Sequence, residues 1–221
     1  MTRRGFVLGL FATTALAFGA AGLLPSPVAA QAAREPSDAE KKLLEPGPLE
    51  EKALGDPNAP VTVIEYASMT CGHCAHFHET TWPVLKSEYV DTGKVRFILR
   101  EFPLDPLAAA GFMLARNAPG GRYFEVVDLL FERQKDWAYS DKPVDALMAL
   151  AKQFGYSPQT FEATLTDQKL LDDINAVRAR GADEFGVNST PTFFINGEQV
   201  RGAMTPEDLR ARLDPLVTAA N

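Results

Sequence analysis

The stretch that decides the fold is "VTVIEYASMTCGHCAHFHETTWPVLKSEYV", residues 61–90. Its first seven residues are apolar on both faces and rich in β-branched side chains, as expected of a strand buried inside a sheet. From Cys71 the pattern changes, and Cys74, Phe77, Leu85 and Tyr89 follow one helical face. The only two cysteines of the chain, Cys71 and Cys74, therefore fall where a buried strand hands over to a helix, with all three histidines, His73, His76 and His78, among them. Pro83 removes a backbone donor and crowds the preceding turn, which predicts a kink in that helix.

Three chemistries compete for the cysteine pair. A structural disulfide across a four-residue loop would remove little entropy from the unfolded chain, because that stabilisation grows with loop length. Zinc or copper would need Cys71, Cys74, His76 and His78 to converge on one ion. On two turns of one helix, however, His76 and His78 point about 200° apart. Redox exchange fits best: a Cys-x-x-Cys pair at a helix start puts its first sulfur among free backbone donors and at the positive end of the helix dipole, which favours thiolate. The second cysteine, one turn on, is placed to resolve a mixed disulfide. Between them, Gly72 lets the turn close, and a cationic His73 would stabilise the neighbouring thiolate and make the disulfide a better oxidant. His76 and His78 read as helix surface or packed histidines.

Glu65 interrupts the apolar strand six residues before Cys71. A carboxyl buried there is a candidate for moving the proton of Cys74 when the mixed disulfide resolves, with a core hydrogen-bonded carboxylate as the plainer reading. The second candidate motif is "NSTPTFFING", residues 188–197, in which a proline stands just before a strand. Thr190-Pro191 permits a cis bond, although an ordinary trans turn is the default reading of the residues alone.

Working outward, "KVRFILREFP" at 94–103 predicts a second strand and so a strand–helix–strand unit with right-handed crossover. Residues 105–186 read as successive helices, with apolar positions such as Phe124, Val127 and Phe131 recurring three or four apart. Ser157-Pro158 is a cap followed by proline at the first helical position. "TFFIN" and "GEQVRG" predict two short strands about a tight Asn196-Gly197 turn, followed by a helix that Thr205 opens with Asp208 three residues on.

At the N-terminus, Arg3 and Arg4 precede an uncharged, mostly apolar run from Gly5 to Leu24, with "AQA" at 30–32 as a small-residue cleavage site. That layout predicts an export signal over 1–32, and "TRRGFV" resembles the twin-arginine type, with the general secretory route as the alternative. Residues 33–58 are rich in charge, Pro and Gly, with a short helical pattern around Ala39 to Leu44, and are expected to form a flexible leader. The chain carries 29 acidic against 22 basic residues, and the signal would remove two of the arginines. An acidic balance with no Lys/Arg cluster argues against a nucleic-acid partner.

Taken together, "GDPNAPVTVIEYASMTCGHC", the helical block and "STPTFFINGEQVRGAMTPEDLRARL" resemble the DsbA-like thiol:disulfide oxidoreductases of the thioredoxin superfamily, over about Gly55 to Leu216. The resemblance implies an α/β, thioredoxin-like fold in two parts, 59–104 and 187–218, with an inserted helical domain and return helix over 105–186. It implies Cys71 as the exposed nucleophile, Cys74 as the buried resolving cysteine, and Glu65 as the acidic residue beneath the active site. Pro191 would be a cis-proline that, with Thr190, lines a substrate-peptide groove. It further implies a periplasmic protein, expected to be a monomer, acting on unfolded or reduced exported proteins, with reoxidation by a DsbB-type membrane quinone oxidoreductase and neither cofactor nor metal. Two departures leave the redox direction open. The enteric proteins carry Pro where this chain has Gly72 and Val where it has Thr190. Cys-Gly-His-Cys resembles protein disulfide isomerase, and Thr before the proline resembles the periplasmic isomerases, so an isomerase or reductase is the alternative.

Overall fold

The computed structural model describes residues 1, 2 and 35–219; the export signal expected over 1–32 lies, but for its first two residues, outside them. The chain divides into two compact units, Met1–Ala30 and Gln31–Asn221, and the fold that follows belongs to the second.

Its centre is a mixed five-stranded sheet in the order β1-β3-β2-β4-β5. The buried strand read from the sequence is β2, Val61–Ala67, and it runs parallel to β3, Val95–Glu101, in the register Glu65 to Leu99. A parallel pair needs a crossover. Here it is supplied by α2, Gly72–Thr80, then α3, Trp82–Leu85, and a π-helical turn over Lys86–Val90. The helix breaks at Thr81, just before Pro83 in the first turn of α3, where the expected kink fell. Thr81 is buried and spends its hydroxyl on the Met204 carbonyl, 2.7 Å away.

Between β3 and β4 the chain leaves the sheet for a helical insertion. It comprises α4 (Pro106–Arg116), α5 (Tyr123–Glu132), α6 (Gln134–Trp137), α7 (Pro143–Ala151), α8 (Pro158–Leu165) and the long α9 (Gln168–Phe185). Ser157 caps α8 in a reciprocal box with Thr160. The chain then closes with the antiparallel β4, Thr192–Ile195, and β5, Glu198–Arg201, followed by α10, Pro206–Ala219. Asn196 and Gly197 between the strands have φ of 47° and 84°, the left-handed pair that a tight hairpin turn demands. The start of α10 is held by Thr205 and Asp208, each accepting from the other's backbone N–H.

Strand alternation sorts the core into two layers. On β2, Val61, Val63 and Ala67 join Cys74 and Phe77 in the larger cluster, while Ile64 and Tyr66 face the opposite way with Ile98, Phe102, Val187 and Phe194. Glu65 therefore shares the face covered by α2. On the other face α9 comes close to the sheet: a Cβ added to Gly181 would lie 2.7 Å from the Tyr66 ring.

The segment expected to be a flexible leader departs from that expectation. From Ser37, whose hydroxyl accepts from the Glu40 N–H at 3.2 Å, it forms α1, Asp38–Leu44, and then β1, Lys52–Leu54, antiparallel to β3. Leu43 is buried in the smaller cluster, a burial that contributes on the order of 1.5–3 kcal/mol. Arg100 of β3 fastens the segment from the sheet side. It donates to both carboxylate oxygens of Glu51, at 3.0 and 2.6 Å, and to the Leu43 carbonyl at 2.6 Å. Composition pointed to a solvated tether. The sheet, however, offers an open edge to pair and a guanidinium to satisfy, and the charged residues are spent there.

Candidate active site

Cys71 is the N-cap residue of α2, extended at φ −78° and ψ 117°, so its side chain stands over the first free backbone donors of the helix. Both cysteines are free thiols, Cys71 partly exposed and Cys74 buried. The two environments drive the sulfurs apart. The Cys71 thiol is drawn from an ordinary 9.0 down to about 5, chiefly because the Cys74 thiol donates to it. Burial opposes that shift, and Thr190 with the backbone N–H groups of Cys74 and His73 adds to it. Burial pushes Cys74 well above the usual thiol range, and the neighbouring Cys71 and the Glu65 carboxylate push the same way. The site thus holds one sulfur that ionises readily and one that keeps its proton.

Across from Cys71 lies the second motif. The Thr190-Pro191 peptide bond is cis, so the default trans reading of those residues gives way to the geometry that the resemblance implied. The Cys71 Sγ sits 3.3 Å from the Thr190 carbonyl oxygen, a contact between residues 119 apart in the chain. Both Thr190 and Pro191 are buried, and it is the Thr190 side chain that favours the Cys71 thiolate.

Two tuning residues differ from expectation. The His73 ring is exposed, and the residue acts on Cys71 through its N–H, because a helix N-terminus aims backbone donors at the cap while the side chain points out. Gly72, the first residue of α2, does not need to be glycine: its φ is not in the left-handed region, and an added Cβ would meet only the Tyr139 hydroxyl, at 3.9 Å. Glu65 is fully buried on the face beneath α2, with its Oε2 3.0 Å from His78 Nε2. Of the remaining histidines, His76 is exposed and His78 buried, so the two diverge as the helical period requires. Among the described residues no group of three or more His, Cys, Asp or Glu is placed to hold a metal ion.

Gln134 is a residue that sequence reading missed. It is buried on α6, and its side-chain amide donates to the Met69 carbonyl at 2.8 Å and the Cys71 carbonyl at 3.0 Å. The insertion thereby grips the loop that presents Cys71. On the other flank Thr70 donates to Asp105, which also caps α4. Nothing in the periodicity around Gln134 marks it, since its partners are backbone carbonyls more than sixty residues away.

A cysteine pair at the mouth of a helix, opposed by a cis-proline on the neighbouring strand of such a sheet, defines a thioredoxin-type site. A sequence model described as thioredoxin matches residues 49–215. The chain belongs to the thioredoxin family and, within it, to the DsbA-like proteins. The crystal structure of alpha-DsbA1 from Wolbachia pipientis is similar over 82% of this chain and 97% of that one, with 31% identity and a TM-score of 0.75. Provisionally named protein-disulfide oxidoreductases of Rickettsia typhi and Rickettsia conorii are 33% and 34% identical, each over 66% of this chain. The chain spans about half the length of these curated relatives, 54% and 53%.

Proposed function

We propose that the protein is a DsbA-like dithiol oxidase that introduces disulfides into exported proteins. A substrate thiolate attacks Cys71 of the Cys71–Cys74 disulfide, and Cys74 leaves and takes up a proton. A second substrate thiolate then attacks the substrate sulfur of the mixed disulfide and expels Cys71 as thiolate. Two substrate thiols are oxidised to a disulfide, and the enzyme pair is reduced.

The observation that carries this direction is the Cys71 thiolate. Its pKa of about 5 means that the reduced enzyme holds a stabilised anion at neutral pH, and stabilising the reduced form makes the disulfide more oxidising. Thr190 and Pro191 would line the groove for the substrate peptide. Glu65 would serve the proton of Cys74. The N-terminal signal, periplasmic location, monomeric state and reoxidation by a DsbB-type membrane quinone oxidoreductase belong to the same reading, supported by the Arg3-Arg4 leader sequence and the DsbA-like relatives.

Equilibrating the protein in a series of glutathione buffers tests it. A reduction potential near that of strong oxidants, about −120 mV, is expected. A value near that of thioredoxin, roughly −270 mV, would make the protein a reductant and overturn the oxidase reading.

A further inference from the structure

The buried polar row beneath α2 continues past Glu65. The His78 ring is stacked on Phe131, with centroids 4.2 Å apart, and its side chain is only 3% exposed. One ring nitrogen, Nε2, binds Glu65; the other, Nδ1, faces Asp128 of α5, 3.9 Å from its Oδ1. Three atoms of this row are buried without a hydrogen-bond partner: Glu65 Oε1, His78 Nδ1 and Asp128 Oδ1. Leaving such atoms unpaired costs about 1–3 kcal/mol each, and in native proteins they mark ordered water or a redox or catalytic role.

The row ends in solvent. A cleft of about 900 Å³ opens between α2, α3, α5 and α6, with His78, Asp128, Phe131 and Trp82 in its lining. The Asp128 side chain is 46% exposed and bridges the buried ring to this space. The charged groups about His78 are Glu65 from β2 and Asp128 from α5, and Glu79, Lys86, Glu132 and Lys135 line the cleft beyond them. Burial opposes charge on the ring, but the two carboxylates outweigh it, and the His78 pKa is pushed up to about 9.

We infer that His78 is a positioning residue for Cys74: it fixes the Glu65 carboxylate beneath the thiol and connects it, through Asp128 and the cleft, to solvent. The inference rests on the exchange chemistry proposed above and concerns its proton. When Cys74 attacks a mixed disulfide, the Cys74–Cys71 bond forms, the bond from Cys71 to the partner sulfur breaks, and the partner leaves as thiolate. The Cys74 proton passes to the Glu65 carboxylate. With that charge neutralised, His78 releases a proton from Nδ1 toward Asp128 and the cleft. The interior carries no net charge before or after, since an ion pair and a thiol become a carboxylic acid, a neutral imidazole and a disulfide. The ion pair re-forms when Nδ1 regains a proton from the cleft and Glu65 releases its own through the otherwise unpartnered Oε1. Reduction of the disulfide runs the same steps backwards.

The test is rapid mixing of the reduced full-length protein with oxidised glutathione, acid quenching and mass spectrometry, which resolves attack by Cys71 from closure by Cys74. In His78→Gln, attack is expected at the wild-type rate and closure at least tenfold slower at neutral pH, so that the mixed disulfide accumulates. Closure at the wild-type rate and with the wild-type pH profile would overturn the inference. Should that variant not fold, Asp128→Asn is measured instead, together with the ring-nitrogen NMR shifts of His78 in the wild type. Slowed closure and a ring protonated on both nitrogens at neutral pH are expected; wild-type closure or a neutral ring would refute it. If the wild-type protein itself neither forms the mixed disulfide nor closes it, the oxidase reading fails independently of the variants.

Discussion

Replacing Cys74 by Ala removes the group that contributes most to lowering the Cys71 pKa, and the consequence can be sized. A hydrogen bond to a charged group is worth about 1.5–3 kcal/mol, and one pKa unit corresponds to about 1.36 kcal/mol. The loss of the Cys74 donor should therefore raise the Cys71 midpoint by about one to two units, from about 5 to roughly 6–7. It should not return to the ordinary thiol value, because the N–H groups of His73 and Cys74 and the Thr190 side chain remain. The assay is the pH dependence of alkylation by iodoacetamide at low protein concentration, with thiolate ultraviolet absorbance as a second readout. A midpoint that stays near 5 would show that the helix terminus alone holds the charge. A midpoint near 9 would show that the backbone donors contribute nothing, and either outcome refutes the division of labour described above.

Three further outcomes follow from the packing. His78 has a folded-state pKa of about 9 against 6.5 for a free ring, so its contribution to stability is complete below pH 6.5 and is lost as pH rises through 9. In oxidised protein, where no cysteine titrates, the melting temperature should fall across that window, and a flat profile would contradict the Glu65–His78–Asp128 arrangement. Gly181→Ala drives a methyl group to within 2.7 Å of the Tyr66 ring and should destabilise the fold by about 1–3 kcal/mol in urea denaturation. Gln134→Leu strands the Met69 carbonyl at a cost of about 1–3 kcal/mol, while the Cys71 carbonyl keeps the Ala75 N–H and loses only its second donor. Its hydrogen exchange should quicken at residues 69–72, and unchanged protection there would refute the clamp.

The elements legible in the sequence were those whose cause lies within a few residues. The buried strand before Cys71, the helix it opens, the break before Pro83, the Ser157 and Thr205 caps and the Asn196-Gly197 hairpin all depend on periodicity, φ preference or a side chain reaching its own backbone. The Cys-x-x-Cys spacing belongs with them, since one helical turn is enough to bring Cys74 to Cys71.

What tertiary structure alone decided shares the opposite property. The three residues of β1 have no periodicity to read, and they become a strand because β3 leaves its edge open. Gln134 and Thr190 reach the Cys71 loop across 63 and 119 residues, and Glu65 meets His78 only because β2 and α2 stack face to face. Sequence by itself pointed to a redox pair, because two cysteines one turn apart at a helix start are a feature of local spacing. The state of each sulfur was decided by the tertiary structure, because burial and the direction of distant donors exist only once the layers have closed.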